Sequence, residues 1–151
     1  MNSGVVPLLL VVDVDPDQLN LVRKAAARAG GLRVITAESG TEAFAQLEAR
    51  ELMRLPAPDL VLTELKMPDM SGLEFMQAFH DRPDRMHVPV LFLTSFIYNR
   101  DRIQAHIAGA DGFFQKPISF DELVAMMKVL PSYLPLSRVA GGEVDRWRQS
   151  N

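Results

Sequence analysis

The chain has 151 residues, of which 48% are hydrophobic, and this suits one domain with a sizeable core. It has no cysteine, which excludes disulfides, thiolate metal sites and cysteine nucleophiles. Sixteen Lys and Arg against 19 Asp and Glu give a net charge of −3, which argues against nucleic acid as a partner. The longest apolar stretch, residues 5–12, is too short to span a bilayer and follows no basic segment, so we expect a soluble, cytoplasmic protein without membrane contact.

Short apolar segments alternate with longer amphipathic segments along the chain. In chain order, these segments predict a strand at residues 8–12, a helix at 16–29, a strand at 32–36, a helix from 39 to about 53, a strand at 60–63, a helix at 72–79, a strand at 88–94, a helix at 100–108, a strand at 112–114 and a helix from 119 to about 130. Five strand–helix repeats predict a parallel sheet covered by helices on both faces.

Polar residues mark where three of these helices begin. Asp15 is a good N-cap for the first helix, with Pro16 at the first helical position and Gln18 completing a capping-box pattern. Ser39 with Glu42 and Ser119 with Glu122 repeat that pattern before the second and fifth helices. Residues 6–133 are therefore predicted to form one α/β domain, and residues 134–151, which lack periodicity, a flexible tail.

Parallel sheets of this kind place their functional sites at the carboxyl ends of the strands. The residues that follow the predicted strands are Asp13, Val14, Asp15, Glu64, Thr94, Ser95 and Lys116. Carboxylates at such an edge bind Mg²⁺ through oxygen, and a lysine ammonium beside them clamps phosphoryl groups. The three histidines, His80, His87 and His106, show no metal-ligand spacing.

Four segments resemble the response-regulator receiver domains of two-component signalling, in the order in which those domains carry them. They are residues 11–16, 58–72, 91–95 and 108–117, which have the sequences VVDVDP, PDLVLTELKMPDMSG, LFLTS and AGADGFFQKP. The resemblance covers about residues 8–130. It implies a flavodoxin-like receiver fold, a doubly wound (βα)5 unit with a five-stranded parallel sheet.

The resemblance also implies roles for the residues at matching positions. Asp13 matches the first of the family's acidic pair, and Glu64 falls at the aspartate that accepts phosphate. Thr94 matches the hydroxyl that moves toward the phosphoryl group, and Lys116 the lysine that pairs with it. Phe113 is placed at the switch aromatic residue. Two further positions are implied, a metal-binding backbone carbonyl at Lys66 and a proline that follows a usually cis peptide at Pro117.

Two departures from the family pattern fall in this one site. Val14 stands where the second metal-binding acid belongs, so we expect no cofactor, with Mg²⁺ binding weak if it occurs. Asp15 is better explained as a helix cap than as a substitute ligand. Glu64 is one methylene longer than aspartate, and misplacement of about 1 Å costs about 10²-fold in rate. Its carboxylate is instead within reach of Lys116 or the Thr94 hydroxyl, which leaves open a permanently activated or an inert domain.

Three functional hypotheses follow. The first is an atypical, non-enzymatic receiver that binds signalling proteins or a second receiver, as a monomer or homodimer, through its fourth helix, fifth strand and fifth helix near Gln104, Phe113 and Met126. The second is a Mg²⁺-dependent phosphoacceptor that takes phosphate from a histidine kinase on Glu64. The third, a nucleotide or flavin binder, is disfavoured because no Gly-rich or Ser/Thr-rich phosphate loop follows the first strand.

Overall fold

The protein folds as alternating strands and helices. A computed structural model describes residues 5–95, 98–116 and 119–135. The strands are β1 (Leu8–Val12), β2 (Arg33–Ala37), β3 (Leu60–Thr63), β4 (Val90–Thr94) and β5 (Gly112–Gln115). The α-helices are α1 (Pro16–Ala29), α2 (Gly40–Leu52), α3 (Gly72–His80), α4 (Asn99–Ile107) and α5 (Phe120–Val129), and short 3₁₀ helices lie at Pro83–Arg85 and Leu130–Tyr133.

All five strands form one parallel sheet in the order β2-β1-β3-β4-β5. Every residue of β1, β3 and β4 is buried, because helices cover both faces of these central strands. The predicted fold class, a doubly wound five-stranded α/β sheet, is confirmed.

Alternate residues of the central strands point into two separate cores, one on each face of the sheet. Leu9 and Val11 of β1 pack with residues of α1 and α5 in the first core. Leu10 and Val12 pack with residues of α2, α3 and α4 in the second. Leu134, the first residue of the predicted tail, is buried in the first core, so ordered packing extends at least one residue beyond the predicted domain.

Helix caps differ in detail from the predicted capping boxes. Asp15 caps α1 by accepting a hydrogen bond from the Asp17 backbone N–H at 3.0 Å, and no reciprocal bond from Gln18 is formed within the described residues. The Ser39 hydroxyl caps α2, but the Glu42 carboxylate accepts from the Glu38 N–H instead. Complete capping boxes begin α3, with Ser71 and Glu74, and α5, with Ser119 and Glu122; the α3 box was not predicted.

β4 begins two residues later than predicted. The Val88 N–H donates to the Arg85 carbonyl and thereby closes the turn after the first 3₁₀ helix. Pro89 has no N–H to give to a strand ladder, so regular pairing starts at Val90. The cause is local turn chemistry, which the apolar pattern of residues 88–94 does not reveal.

Candidate functional site: a lysine between two carboxylates

The carboxyl ends of four neighbouring strands bring the predicted site residues to one edge of the sheet. Asp13, Glu64 and Lys116 each follow a strand directly, and Thr94 is the last residue of β4. Ladder-like backbone bonds hold them in register: the Glu64 N–H donates to Val12 O at 2.8 Å, and the Lys116 N–H donates to Thr94 O at 2.7 Å. The edge is therefore built by the sheet itself.

The ammonium of Lys116 lies between the two carboxylates. Lys116 Nζ is 2.5 Å from Asp13 Oδ2 and 3.0 Å from Glu64 Oε1. The three side chains are only 12%, 5% and 11% exposed, respectively, so both ion pairs are largely shielded from water. Burial alone would lower the pKa of Lys116, but the hydrogen bond and charge of Asp13, together with those of Glu64, outweigh it and raise that pKa above its usual value. Lys116 is thus held as a cation.

The remaining carboxylate oxygens are also engaged. Asp13 Oδ1 accepts a hydrogen bond from the Asp15 N–H at 2.9 Å. Glu64 Oε2 accepts from the Leu65 N–H at 2.6 Å, and the Lys66 N–H lies 3.5 Å from the same oxygen. Each of the four carboxylate oxygens therefore has a donor within the protein, and the Glu64 side chain is folded back onto the backbone of the two residues that follow it.

The Thr94 side chain, unlike its backbone carbonyl, forms no hydrogen bond with this cluster in the part of the chain that the structure describes. Its side chain is 1% exposed, yet its hydroxyl finds no partner within the part of the chain that the structure describes. Of the two predicted contacts of Glu64, the one to Lys116 is formed and the one to Thr94 is not. A buried hydroxyl without a hydrogen bond costs free energy. We therefore expect the Thr94 hydroxyl to form a hydrogen bond with any donor or acceptor that comes within reach.

Phe113 is half-buried rather than fully inward or outward. Its ring centroid lies 5.8 Å from that of Phe92, and the Arg102 guanidinium carbon lies 5.8 Å from the Phe113 centroid. In this arrangement the Phe113 ring is partly packed, while the Thr94 hydroxyl has no hydrogen-bond partner among the described residues.

The other predicted site residues lie at the margin of the cluster. Val14 is 41% exposed and offers no ligand atom. Lys66 is exposed, and its Nζ lies 6.0 Å from the centre of the Tyr98 ring. Asp15 is exposed and caps α1. Pro117 lies outside the described residues.

Gly72 supports the site through a close approach that sequence reasoning did not single out. A Cβ at Gly72 would lie 2.2 Å from the Glu64 carbonyl oxygen and 2.9 Å from Phe92 Cε1. The Gly72 N–H donates to Leu65 O at 2.7 Å, and the Thr63 hydroxyl donates to Glu64 O at 3.0 Å. Glu64 is therefore fixed at its backbone as well as at its carboxylate. The available signal was the glycine that ends the family-like segment at residues 58–72.

A comparison with models of protein families assigns most of this chain to one family. The family model described as the response regulator receiver domain matches residues 9–128. The chain belongs to this family.

Relatives and solved structures agree with that assignment. Response regulator Rre1 of Synechocystis sp. is 34% identical over 135 residues, which are 89% of this chain and 56% of Rre1. The polar-differentiation response regulator DivK of Brucella ovis is 31% identical over 125 residues, 82% of this chain and 94% of DivK. The crystal structure of the Vibrio cholerae chemotaxis protein CheY4 superposes with a TM-score of 0.72 at 25% identity, covering 86% of this chain and all (100%) of that one. This receiver domain thus spans about half of one relative and nearly all of the other.

The donor set of this receiver domain does not fit a resident Mg²⁺ ion. Mg²⁺ requires near-octahedral oxygen ligation, but the side chain of Val14 has no oxygen and the ammonium of Lys116 already bridges Asp13 and Glu64. Residues 5–95, 98–116 and 119–135 contain no group of three or more His, Asp or Glu side chains arranged to hold a metal. Among the same residues, no helix is long and apolar enough to cross a membrane.

Proposed function

We propose that this chain is an atypical, non-enzymatic receiver that acts in the cytoplasm by binding other proteins and does not use phosphorylation at Glu64 as its switch. The observation that carries the proposal is the Lys116 ammonium, which contacts Asp13 and Glu64 at once. In the receiver family, the matching lysine pairs with the phosphoryl group. In this chain its anionic partners are already part of the polypeptide.

The geometry of Glu64 argues against phosphoryl transfer to it. In-line transfer needs a nucleophilic oxygen that is free and aligned, together with cations that neutralise the phosphoryl charge. Glu64 Oε1 is bound by Lys116 and Oε2 by the Leu65 N–H. Attack on a phosphodonor would require breaking at least one of these bonds, and with Val14 in place of an acid the metal that assists transfer would have one carboxylate ligand fewer. The free nucleophilic oxygen and the bound cation that phosphoryl transfer needs are therefore both disfavoured in this pocket.

We assign partner binding to the surface formed by α4, β5 and α5, which we call the α4–β5–α5 face. α4 buries a single side chain, Ala105, and leaves Ile103 and Ile107 56% and 78% exposed. Val129 of α5 is 54% exposed, and Phe113 of β5 is half-buried. Exposed apolar side chains on a weakly packed helix favour a protein partner, either a signalling protein or a second receiver. The net charge of −3 argues against nucleic acid as a partner.

Two observations favour the alternative, a Mg²⁺-dependent phosphoacceptor. The Thr94 hydroxyl is buried without a partner among the described residues, and Lys116 is present at the position that clamps phosphate in the family. Both groups would be available to an incoming phosphoryl group if Glu64 moved away from Lys116. The alternative therefore requires Glu64 to leave the position that it occupies.

The experiment that separates the two functions is intact-mass spectrometry after incubation with acetyl phosphate and Mg²⁺. The natural chain is compared with Glu64→Asp, with Val14→Asp and with the double variant. We expect no phosphoryl adduct on the natural chain and an adduct on the double variant, since that variant regains both the shorter nucleophile and the metal ligand.

An adduct on the natural chain that maps to Glu64 would overturn the proposal. An adduct on the single variant Glu64→Asp would show that the longer side chain of Glu64 prevents phosphoryl transfer and that Val14 has a secondary effect. If the double variant also stays unmodified, the loss of phosphoryl transfer is not caused by Val14 and Glu64, and that part of the proposal is wrong.

A further inference from the structure

The loop that follows Glu64 is closed at its base. Residues 66–71 leave the end of β3 and return at the start of α3, where the Gly72 N–H donates to Leu65 O at 2.7 Å. The first two amides after Glu64, those of Leu65 and Lys66, point at Glu64 Oε2. The conformation of this loop therefore determines where the Glu64 carboxylate is held.

The tip of the loop is bound to a different element, the first turn of α2. Asp69 Oδ2 accepts hydrogen bonds from the Thr41 N–H at 2.8 Å and from the Thr41 hydroxyl at 2.6 Å. These two bonds lower the pKa of Asp69 to about 2, and the bond from the Thr41 hydroxyl has the larger effect. The carboxylate is therefore charged throughout the neutral range. An anion is also favoured at the N-terminus of a helix.

A second contact joins the same two elements. Gly40, the first residue of α2, lies against Met70, and a Cβ at Gly40 would lie 2.5 Å from Met70 Cγ and 2.6 Å from its sulfur. The glycine thus permits the loop to approach the helix closely. Polar bonds at Asp69 and van der Waals contact at Met70 hold the loop tip at two adjacent residues.

We propose that Asp69 and Thr41 form a latch by which α2 positions the loop that holds the Glu64 carboxylate. The inference deepens the proposed function, on which it rests, because it names positioning residues for the same lysine-bridged site. It assigns α2, which is not part of the α4–β5–α5 face, an influence on that site. A partner or modification that displaces Thr41 would then alter Glu64 without touching it.

The test is residue-resolved amide hydrogen exchange by NMR on the full chain, without phosphodonor. We expect Asp69→Ala to accelerate exchange of the Leu65 and Lys66 amides by about tenfold, the effect of losing two charge-assisted bonds that restrain the loop. Thr41→Val removes the hydroxyl donor but keeps the backbone donor, so it should have a smaller effect, about threefold. Asp69→Asn retains an acceptor oxygen, so the Leu65 and Lys66 amides of this variant should exchange nearly as slowly as those of the natural chain.

Two controls separate positioning from general destabilisation. Glu48→Ala changes an exposed acid in α2 and should leave the Leu65 and Lys66 amides unchanged. The amides of Leu10 and Val11 in β1 report global opening in every variant. Leu65 and Lys66 amides that are unaffected by Asp69→Ala, or that accelerate only in proportion to β1, would overturn the latch. Either result would leave the phosphoryl-transfer experiment, and the function that it tests, standing.

Discussion

Lys116 carries a charge in an environment that would not tolerate one alone. Its side chain is 12% exposed, and its ammonium is stabilised by Asp13 and Glu64. The two carboxylates depend on Lys116 in turn, because within the described residues they form no ion pair with another cation. The three residues form one electrostatic unit, and removing one member leaves uncompensated charge.

Replacing Lys116 tests this interdependence. Lys116→Met keeps the length and apolar stem of the side chain but leaves two buried carboxylates unpaired, which costs about 3–5 kcal/mol. Urea unfolding at pH 7 measures the loss. Adding Glu64→Gln to Lys116→Met should recover part of it, since one of the two charges is removed.

Lys128 provides the matched control for that substitution. It is exposed on α5, so Lys128→Met should change the free energy of unfolding by less than about 0.5 kcal/mol. If Lys116→Met and Lys128→Met changed the free energy of unfolding equally, the ion pairs of Lys116 would contribute no more to stability than an exposed lysine does.

The raised pKa of Lys116 predicts how stability changes in alkaline solution. Its folded-state pKa lies above the unfolded value of about 10.4, so its contribution is complete below about pH 10 and is lost as pH rises through the folded pKa. Urea midpoints of the natural chain should fall more steeply above pH 10 than those of Lys116→Met. Parallel curves for the two proteins would contradict the assignment.

At the scale of elements, the turn from β3 into α3 is where backbone and site are most tightly joined. Gly72 starts α3 and lies against the Glu64 carbonyl and the Phe92 ring. The adjacent Ser71–Glu74 capping box fixes the first turn of α3. A side chain at position 72 would force these elements apart.

Gly72→Ala should therefore destabilise the protein by about 1–3 kcal/mol, the usual cost of overpacking, even though alanine has the higher helix propensity. It should also shift the NMR resonances of the Glu64 and Leu65 amides. The control is Gly31→Ala, where an added Cβ meets no atom within 4 Å. A stability of Gly72→Ala equal to that of Gly31→Ala would show that the close approach is not maintained in solution.

At the scale of the whole molecule, the fold was predictable because the alternation of apolar strands and amphipathic helices restricts the topology. The convergence of Asp13, Glu64 and Lys116 followed from their places at strand ends. The unbonded Thr94 hydroxyl was not predictable, because side-chain rotamers depend on packing between elements. The Asp69–Thr41 bonds join residues 28 apart in the chain, and no local pattern marks them.

Lys116 lies between the two carboxylates that would otherwise be available to a metal ion, and Mg²⁺ titration followed by NMR tests most directly whether it excludes that ion. The signals to follow are the Lys116 side-chain ammonium and the Leu65 amide, with Val14→Asp as the comparison. We expect both signals of the natural chain to stay unchanged through submillimolar Mg²⁺, and Val14→Asp to bind more tightly because it regains oxygen ligands. Saturable shifts of the Lys116 and Leu65 signals in the natural chain at submillimolar Mg²⁺ would contradict the account.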